Sequence, residues 1–216
     1  MGKYEIIDFL RRHGVVAVLR ADAGGETLVQ VVEAVARGGV RCIEVTMTTP
    51  GALECLKLAT ERLEGQEVLL GVGSVLDAET CRLAILAGAE FVVTPATNPE
   101  TIRMARRYGK PIMSGAFTPT EILTAWESGA DFVKVFPAEF GGPAYLKAIK
   151  APLPQIEMIP TGGVNVDNVG EFFAAGAFAV AAGGNLASKA LVAAGDFAGI
   201  ESNARAFAEA VARARK

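Results

Sequence analysis

Gly129-Ala130-Asp131-Phe132-Val133-Lys134-Val135-Phe136 compresses a helix-to-strand junction and a strand into eight residues. The glycine fits a left-handed helix C-cap, and the small residue after it lets the chain turn back tightly. The run that follows alternates: Phe132, Lys134 and Phe136 fall on one face, Val133 and Val135 on the other. Both faces are otherwise apolar, so the strand is expected to be covered on both sides, as in a parallel sheet. The junction is echoed at Gly39-Val40-Arg41-Cys42, Gly88-Ala89-Glu90-Phe91 and Gly176-Ala177-Phe178-Ala179.

Outward from this stretch, β-rich runs recur with helical patterns between them. Strands are predicted at Val15–Leu19, Cys42–Met47, Val68–Gly73, Phe91–Pro95, Pro111–Ser114, Phe132–Phe136, Met158–Thr161 and Phe178–Ala182. Helices are predicted at Glu26–Arg37, Gly51–Leu63, Ala78–Ala87, Pro99–Tyr108, Pro119–Ser128, Ala144–Ala148, Val166–Ala175 and Ser202–Arg215. The glycine junctions precede the second, fourth, sixth and eighth strands. Eight right-handed β/α units close naturally into a barrel. The reading is an α/β fold, a (β/α)8 TIM barrel with an extra N-terminal helix, as one domain over residues 1–216. An open doubly wound sheet shares the same local pattern and is the competing architecture.

Bulk composition narrows the function. Of 216 residues, 51% are hydrophobic and 21% charged, enough for a full core. The net charge of −3 leaves no basic excess to neutralise phosphates, so neither nucleic acid nor an anionic membrane is expected as partner. The residues from Met1 to Arg12 read as an amphipathic helix, not a signal segment. The apolar stretch from Phe172 to Ala187 is shorter than a membrane span and broken by Gly176, Gly183 and Gly184. Cys42, Cys55 and Cys81 show no paired or metal-type spacing and suit a reducing, cytoplasmic setting. A single histidine, His13, removes histidine triads and most zinc sites, so no metal is expected.

Lys134 is the residue that points to chemistry. Burial disfavours an ammonium, and a neutral lysine is an amine nucleophile able to form a Schiff base with a ketone. The alternative is an ion pair, or a stem that snorkels to the rim. Glu44, inside Cys42-Ile43-Glu44-Val45, is a second charge in an apolar run. The two could pair structurally, or they could form an acid/base couple beside a latent amine. The strand ends where barrel sites gather also carry Arg20, Ser74, Pro95 and Thr161. Gly162-Gly163 and Gly183-Gly184-Asn185 end the last two strands, where glycine lets backbone N–H groups approach an oxyanion. Ser74 and Thr161 could hydrogen-bond a carboxylate. The tail from Ala204 to Lys216 reads as an amphipathic helix open to a subunit contact.

Several stretches, in order along nearly the whole chain, are similar to the class I 2-keto-3-deoxy-6-phosphogluconate (KDPG) aldolases, which include 4-hydroxy-2-oxoglutarate (KHG) aldolase activity. They are Ala17-Val18-Leu19-Arg20, Ile43-Glu44-Val45-Thr46, Gly71-Val72-Gly73-Ser74-Val75, Thr94-Pro95, Thr118-Pro119-Thr120-Glu121, Lys134-Val135-Phe136-Pro137-Ala138-Glu139 and Pro160-Thr161-Gly162-Gly163-Val164. The resemblance implies a homotrimer of barrels, free of cofactor, that cleaves a 2-keto-3-deoxy sugar acid phosphate to pyruvate and glyceraldehyde 3-phosphate. It implies Lys134 as Schiff-base lysine and Glu44 as general acid/base, both catalytic. Ser74 and Thr161 would hold the pyruvate carboxylate, and Pro95 would line the site. Gly162, Gly163, Gly183 and Gly184 would hold phosphate, with Asn185 beside them and Arg20 on an anionic end. Thr48 stands where many members carry arginine, Asn185 where many carry serine, and Ser74 where threonine is usual. The first two departures bear on the anion grip and hence on the substrate. A galactonate-derived substrate, or isomerase or epimerase chemistry on a phosphate-binding barrel, are the alternative functions.

Overall fold

The computed structural model describes residues 1–22 and 24–216. Eight parallel strands run in the order β7-β6-β5-β4-β3-β2-β1-β8. They are β1 (Val15–Leu19), β2 (Cys42–Thr46), β3 (Leu69–Gly73), β4 (Phe91–Val93), β5 (Ile112–Ala116), β6 (Phe132–Val135), β7 (Met158–Pro160) and β8 (Val180–Ala182). The seam between β7 and β8 is joined by one parallel bridge, Thr161 to Ala181, so the sheet is a nearly closed barrel. The expected (β/α)8 architecture is therefore present, and the open doubly wound sheet is not.

Helices alternate with the strands: α1 (Lys3–His13), α2 (Gly25–Arg37), α3 (Ala52–Arg62), α4 (Ala78–Leu86), α5 (Pro99–Arg107), α6 (Pro119–Glu127), α7 (Gly142–Lys150), α8 (Val169–Ala174), α9 (Lys189–Ala194) and α10 (Phe197–Ala214). Gly39, Gly88, Gly129 and Gly176 all have φ between 95° and 108°, as the repeated junction requires. At the third junction Gly129 N–H donates to Trp126 O and Ala130 N–H to Ala125 O, the paired bonds of a Schellman ending. Two elements were absent from the sequence reading: α9, and a 3-10 turn at Ala138–Phe140. β5 runs on through Gly115 to Ala116, past the predicted end. β4 stops at Val93 because Pro95 has no N–H to give the ladder.

Alternation along the strands divides the core into two layers. Ile43, Val45, Val72, Val92, Val133 and Val135 face the helices, in the larger cluster. Val16, Cys42, Leu69, Phe91, Val93, Met113, Phe132, Ile159 and Ala181 fill the lumen. Ile6, Phe9 and Leu10 of α1 belong to that lumen cluster. Their partners Cys42, Leu69, Phe91 and Phe132 are first residues of strands, so α1 plugs the N-terminal mouth. Lys3 ties α1 to Asp131 at 2.6 Å. Arg215, just past α10, donates to the carbonyls of Arg11 and Arg12 at the end of α1. The apolar side of α10 (Ile200, Ala204, Phe207, Val211) is buried within the chain. A subunit contact through this helix would use its exposed side, which carries Arg205, Glu209 and Arg213.

Emptying the plug tests its part in stability. Phe9→Ala should cost about 3–5 kcal/mol, the usual loss for a buried phenyl. For a chain of this length that lowers Tm by roughly 6–20 °C. A fall of under 2 °C in a calorimetric scan would show that the barrel does not depend on α1.

Candidate active site

The C-terminal mouth opposite the plug is built from both ends of the fold. In β2, Cys42, Glu44 and Thr46 point inward; in β6, Phe132 and Lys134 do, followed by Phe136 just past the strand. Three strands separate β2 from β6 in either direction around the barrel, so Glu44 and Lys134 face each other across its axis. Glu44 is 1% exposed and Lys134 6%. No ion pair joins them among the described residues, so the purely structural pairing is not formed.

Glu44 occupies space left by a glycine. Its strand partner on β3 is Gly71, and Thr46 pairs with Gly73. A Cβ on Gly73 would collide with Glu44 Oε1, and one on Gly71 would meet the Phe91 ring at 2.5 Å. The two glycines of Gly71-Val72-Gly73 therefore make room for an aromatic ring and a carboxyl group. Burial pushes the Glu44 carboxyl above its ordinary range, against the opposing pull of Lys134 and Arg20. Its Oε1 is buried without a hydrogen-bond partner in the protein. Such an oxygen is costly for folding and is available to a reacting group.

A cavity of about 490 Å³ opens over β6, β7, β8 and β1. Its walls include Arg20, Lys134, Thr161, Gly162, Gly163, Gly183, Gly184 and Asn185, eight of the eleven residues singled out from the sequence. Glu44, Ser74 and Pro95 lie on the β2–β4 side and do not line it. Lys134 Nζ sits 5.1 Å from the centroid of the Phe136 ring, a cation–π distance. Thr161 is buried, and its hydroxyl makes only a long bond, 3.4 Å, to Ile159 O. Gly162 and Gly163 have φ of 98° and 72°, so the loop depends on glycine at both positions. The N–H groups of Gly162, Gly163 and Gly184 meet no carbonyl among the described residues. Three unengaged amides on one wall suit an oxyanion.

On the opposite side, Ser74 has φ 57°, the one positive value at a non-glycine position among the described residues. This conformation costs about 1–2 kcal/mol and disfavours β-branched side chains most. A serine in place of threonine is the less strained choice. Pro95 packs its carbonyl where a Cβ on Gly115 would fall, and Thr94 Oγ1 accepts from Gly115 N–H at 3.1 Å.

Several residues of the mouth carried no assigned role in the sequence reading. Phe136 and Glu139 line the cavity, although both belong to the lysine-strand stretch quoted above. Glu139 also packs against Gly163, where an added Cβ would come within 2.8 Å of its own Cβ. Lys189 lines the cavity from α9. Thr48 makes a 2.9 Å hydroxyl contact with Thr46. No group of three His, Cys, Asp or Glu side chains is placed to hold a metal among the described residues. No described helix is long and apolar enough to cross a membrane.

An amine and a carboxyl facing each other in the lumen of a parallel barrel define a class of carbon–carbon lyases, the barrel aldolases. Residues 6–203 match the family described as "Aldolase: KDPG and KHG aldolase", and the chain belongs to that family. It is 38% identical over 193 residues to the 2-dehydro-3-deoxy-phosphogluconate aldolase of Treponema pallidum (strain Nichols), covering 89% of this chain and 90% of that one. A solved structure described as "Native KDPGal structure" superposes with a TM-score of 0.86 at 30% identity, over 93% of this chain and 95% of that one. A KDPG aldolase from Legionella pneumophila, with pyruvate captured as a covalent carbinolamine intermediate, superposes with a TM-score of 0.84 at 26% identity, over 92% and 96%.

Glu44 sets a pH dependence on stability. Its carboxyl is raised in the fold above the ordinary value of 4.5. Between 4.5 and the raised value the folded state holds a proton that the unfolded chain has released, so stability falls as pH rises through that window. Glu44→Gln removes this penalty. Its Tm relative to the parent should improve steadily from pH 4.5 upward and exceed it at pH 7 by a few degrees, about 2–4 °C per kcal/mol. Parallel Tm-versus-pH curves for the two proteins would contradict the buried, raised carboxyl.

Proposed function

We propose that the protein is a class I aldolase that cleaves 2-dehydro-3-deoxy-6-phosphogluconate to pyruvate and glyceraldehyde 3-phosphate, and 4-hydroxy-2-oxoglutarate to pyruvate and glyoxylate. The observation that carries the reading is Lys134 Nζ, on an inward strand position, lining a cavity and facing Glu44 without pairing to it. The Legionella relative, in which pyruvate is held as a carbinolamine, supports the same chemistry here.

Lys134 Nζ attacks the C2 carbonyl, and Glu44 gives a proton to the C2 oxygen as water leaves the carbinolamine. The resulting protonated imine is the electron sink. Glu44, now a carboxylate, takes the C4 hydroxyl proton; the C3–C4 bond breaks, its electron pair moves toward C2, and the aldehyde departs. The enamine is protonated at C3 and hydrolysed to release pyruvate and free Lys134. A carboxyl raised by burial holds its proton more firmly than an ordinary glutamate, which suits it to give a proton before taking one back. Thr161 and Ser74 hold the carboxylate end, and Pro95 shapes the wall. Gly162, Gly163, Gly183 and Gly184 receive the phosphate, Asn185 borders them, and Arg20 binds an anionic end. The resemblance to the KDPGal structure supports a second reading at C4, the galactonate epimer. Cleavage rates on the two epimers separate them.

The chain works as a single barrel domain, as a homotrimer and in the cytoplasm. Three buried free thiols, Cys42, Cys55 and Cys81, suit a reducing compartment. The exposed leucines Leu76, Leu83 and Leu86, on α4 and the loop before it, are apolar area that a subunit contact would cover. A monomeric mass on light scattering at micromolar concentration removes the trimer.

Borohydride reduction in the presence of pyruvate should add one covalent label, mapped to Lys134. Lys134→Ala should take no label and lose at least about 10³-fold in turnover, the loss expected for a covalent nucleophile, with its melting transition intact. Label on any other lysine sinks the assignment.

A further inference from the structure

Resting on the aldolase reading, we propose that Lys189 is a cationic ligand for the phosphate of the substrate, and that Asp22 holds it at the rim of the cavity until the phosphate displaces the carboxylate. Among the described residues, the cations that line the cavity are Arg20, Lys134 and Lys189. Lys134 is committed to the carbonyl carbon. Lys189 opens α9, just after the Gly183-Gly184-Asn185 loop, on the wall where the amides of Gly162, Gly163 and Gly184 are unengaged. The phosphate end and Lys189 thus belong to one corner of the mouth.

No other side chain lining the cavity is cationic among the described residues. Asn185 Nδ2 donates to Val164 O at 2.8 Å, joining the loops after β8 and β7, and its side chain brings no charge to the phosphate. Glu139 adds negative charge to the cavity wall, which a phosphate dianion would meet unless a mobile cation offsets it.

Lys189 is held, but loosely. Its Nζ lies 2.8 Å from Asp22 Oδ2, with side-chain exposures of 72% and 81%. An ion pair this wet contributes little and is easily broken. The Lys189 side chain also borders a second cavity of about 200 Å³, shared with Asp22, Val192 and Ala193, so it stands between that space and the substrate cavity. A phosphate monoester carries about −1.5 to −2 charges and three acceptor oxygens against the single charge of Asp22, so the exchange runs toward the substrate.

Two measurements test the assignment. Isothermal titration with sn-glycerol 3-phosphate reads the site apart from turnover, with glycerol as the uncharged control. Lys189→Ala should weaken glycerol 3-phosphate about tenfold, the effect of one charged hydrogen bond, and Lys189→Arg should keep most of the affinity. Asp22→Asn should tighten it, because the lysine is released from its carboxylate. In steady-state cleavage, Lys189→Ala should raise KM for the phosphorylated keto acid about tenfold more than for its dephosphorylated counterpart. Unchanged glycerol 3-phosphate affinity in Lys189→Ala, equal KM effects on both substrates, or a parent protein that does not bind glycerol 3-phosphate would each overturn the proposal. Failure of the aldolase reading shows separately, as absence of the pyruvate label on Lys134.

Discussion

A carboxyl group inside a closed cylinder of side chains is the constraint around which the mouth of this barrel is organised. Glu44 is almost wholly removed from solvent, and its partner-free oxygen sits where the neighbouring strand has no Cβ. Removing water from an ionisable group is costly unless the group stays neutral or finds an opposite charge. Lys134 supplies that charge from the far side of the axis, at a separation that leaves both groups unpaired in the resting protein. The acid is therefore poised between two states. That is a poor arrangement for stability and a useful one for moving protons. The plug of α1 and the apolar lumen below are what let the structure carry this cost.

The asymmetry of the mouth follows from the same packing. On the β2–β4 side, space is taken by Glu44, by the Phe91 ring and by the Pro95 backbone against Gly115. On the β6–β1 side, small residues and glycines leave the cavity. Glu44 and the cavity thus fall on different halves of one ring of strands, with Lys134 at the border. Division of labour of this kind suits a barrel, whose rim loops vary while the lumen stays fixed.

Much of this was legible from residues alone, for physical reasons. The glycine junctions announce themselves because a left-handed C-cap admits little else, and all four have the positive φ the sequence implied. Lys134 and Glu44 stood out because charge in an apolar run is improbable without a use. What was hidden depended on contacts between distant segments. Nothing in Gly71-Val72-Gly73 says that one glycine accommodates a ring and the other a carboxyl. The positive φ of Ser74 leaves no trace in composition. Lys189 escaped notice because α9 is only six residues long and too short to show a helical period. Asn185 was readable as a departure from the family pattern, but its bond to Val164 O was not. The amphipathic pattern of the tail was readable, but that α2 and α8 cover its apolar face was not.

The guanidinium of Arg215 grips the end of α1, which brings the first and last helices of the chain together beneath the barrel floor. Lys3 and Arg215 consequently both lie at the pole away from the cavity. Anything anchored to that pole would face the back of the barrel and leave the approach of small molecules unobstructed.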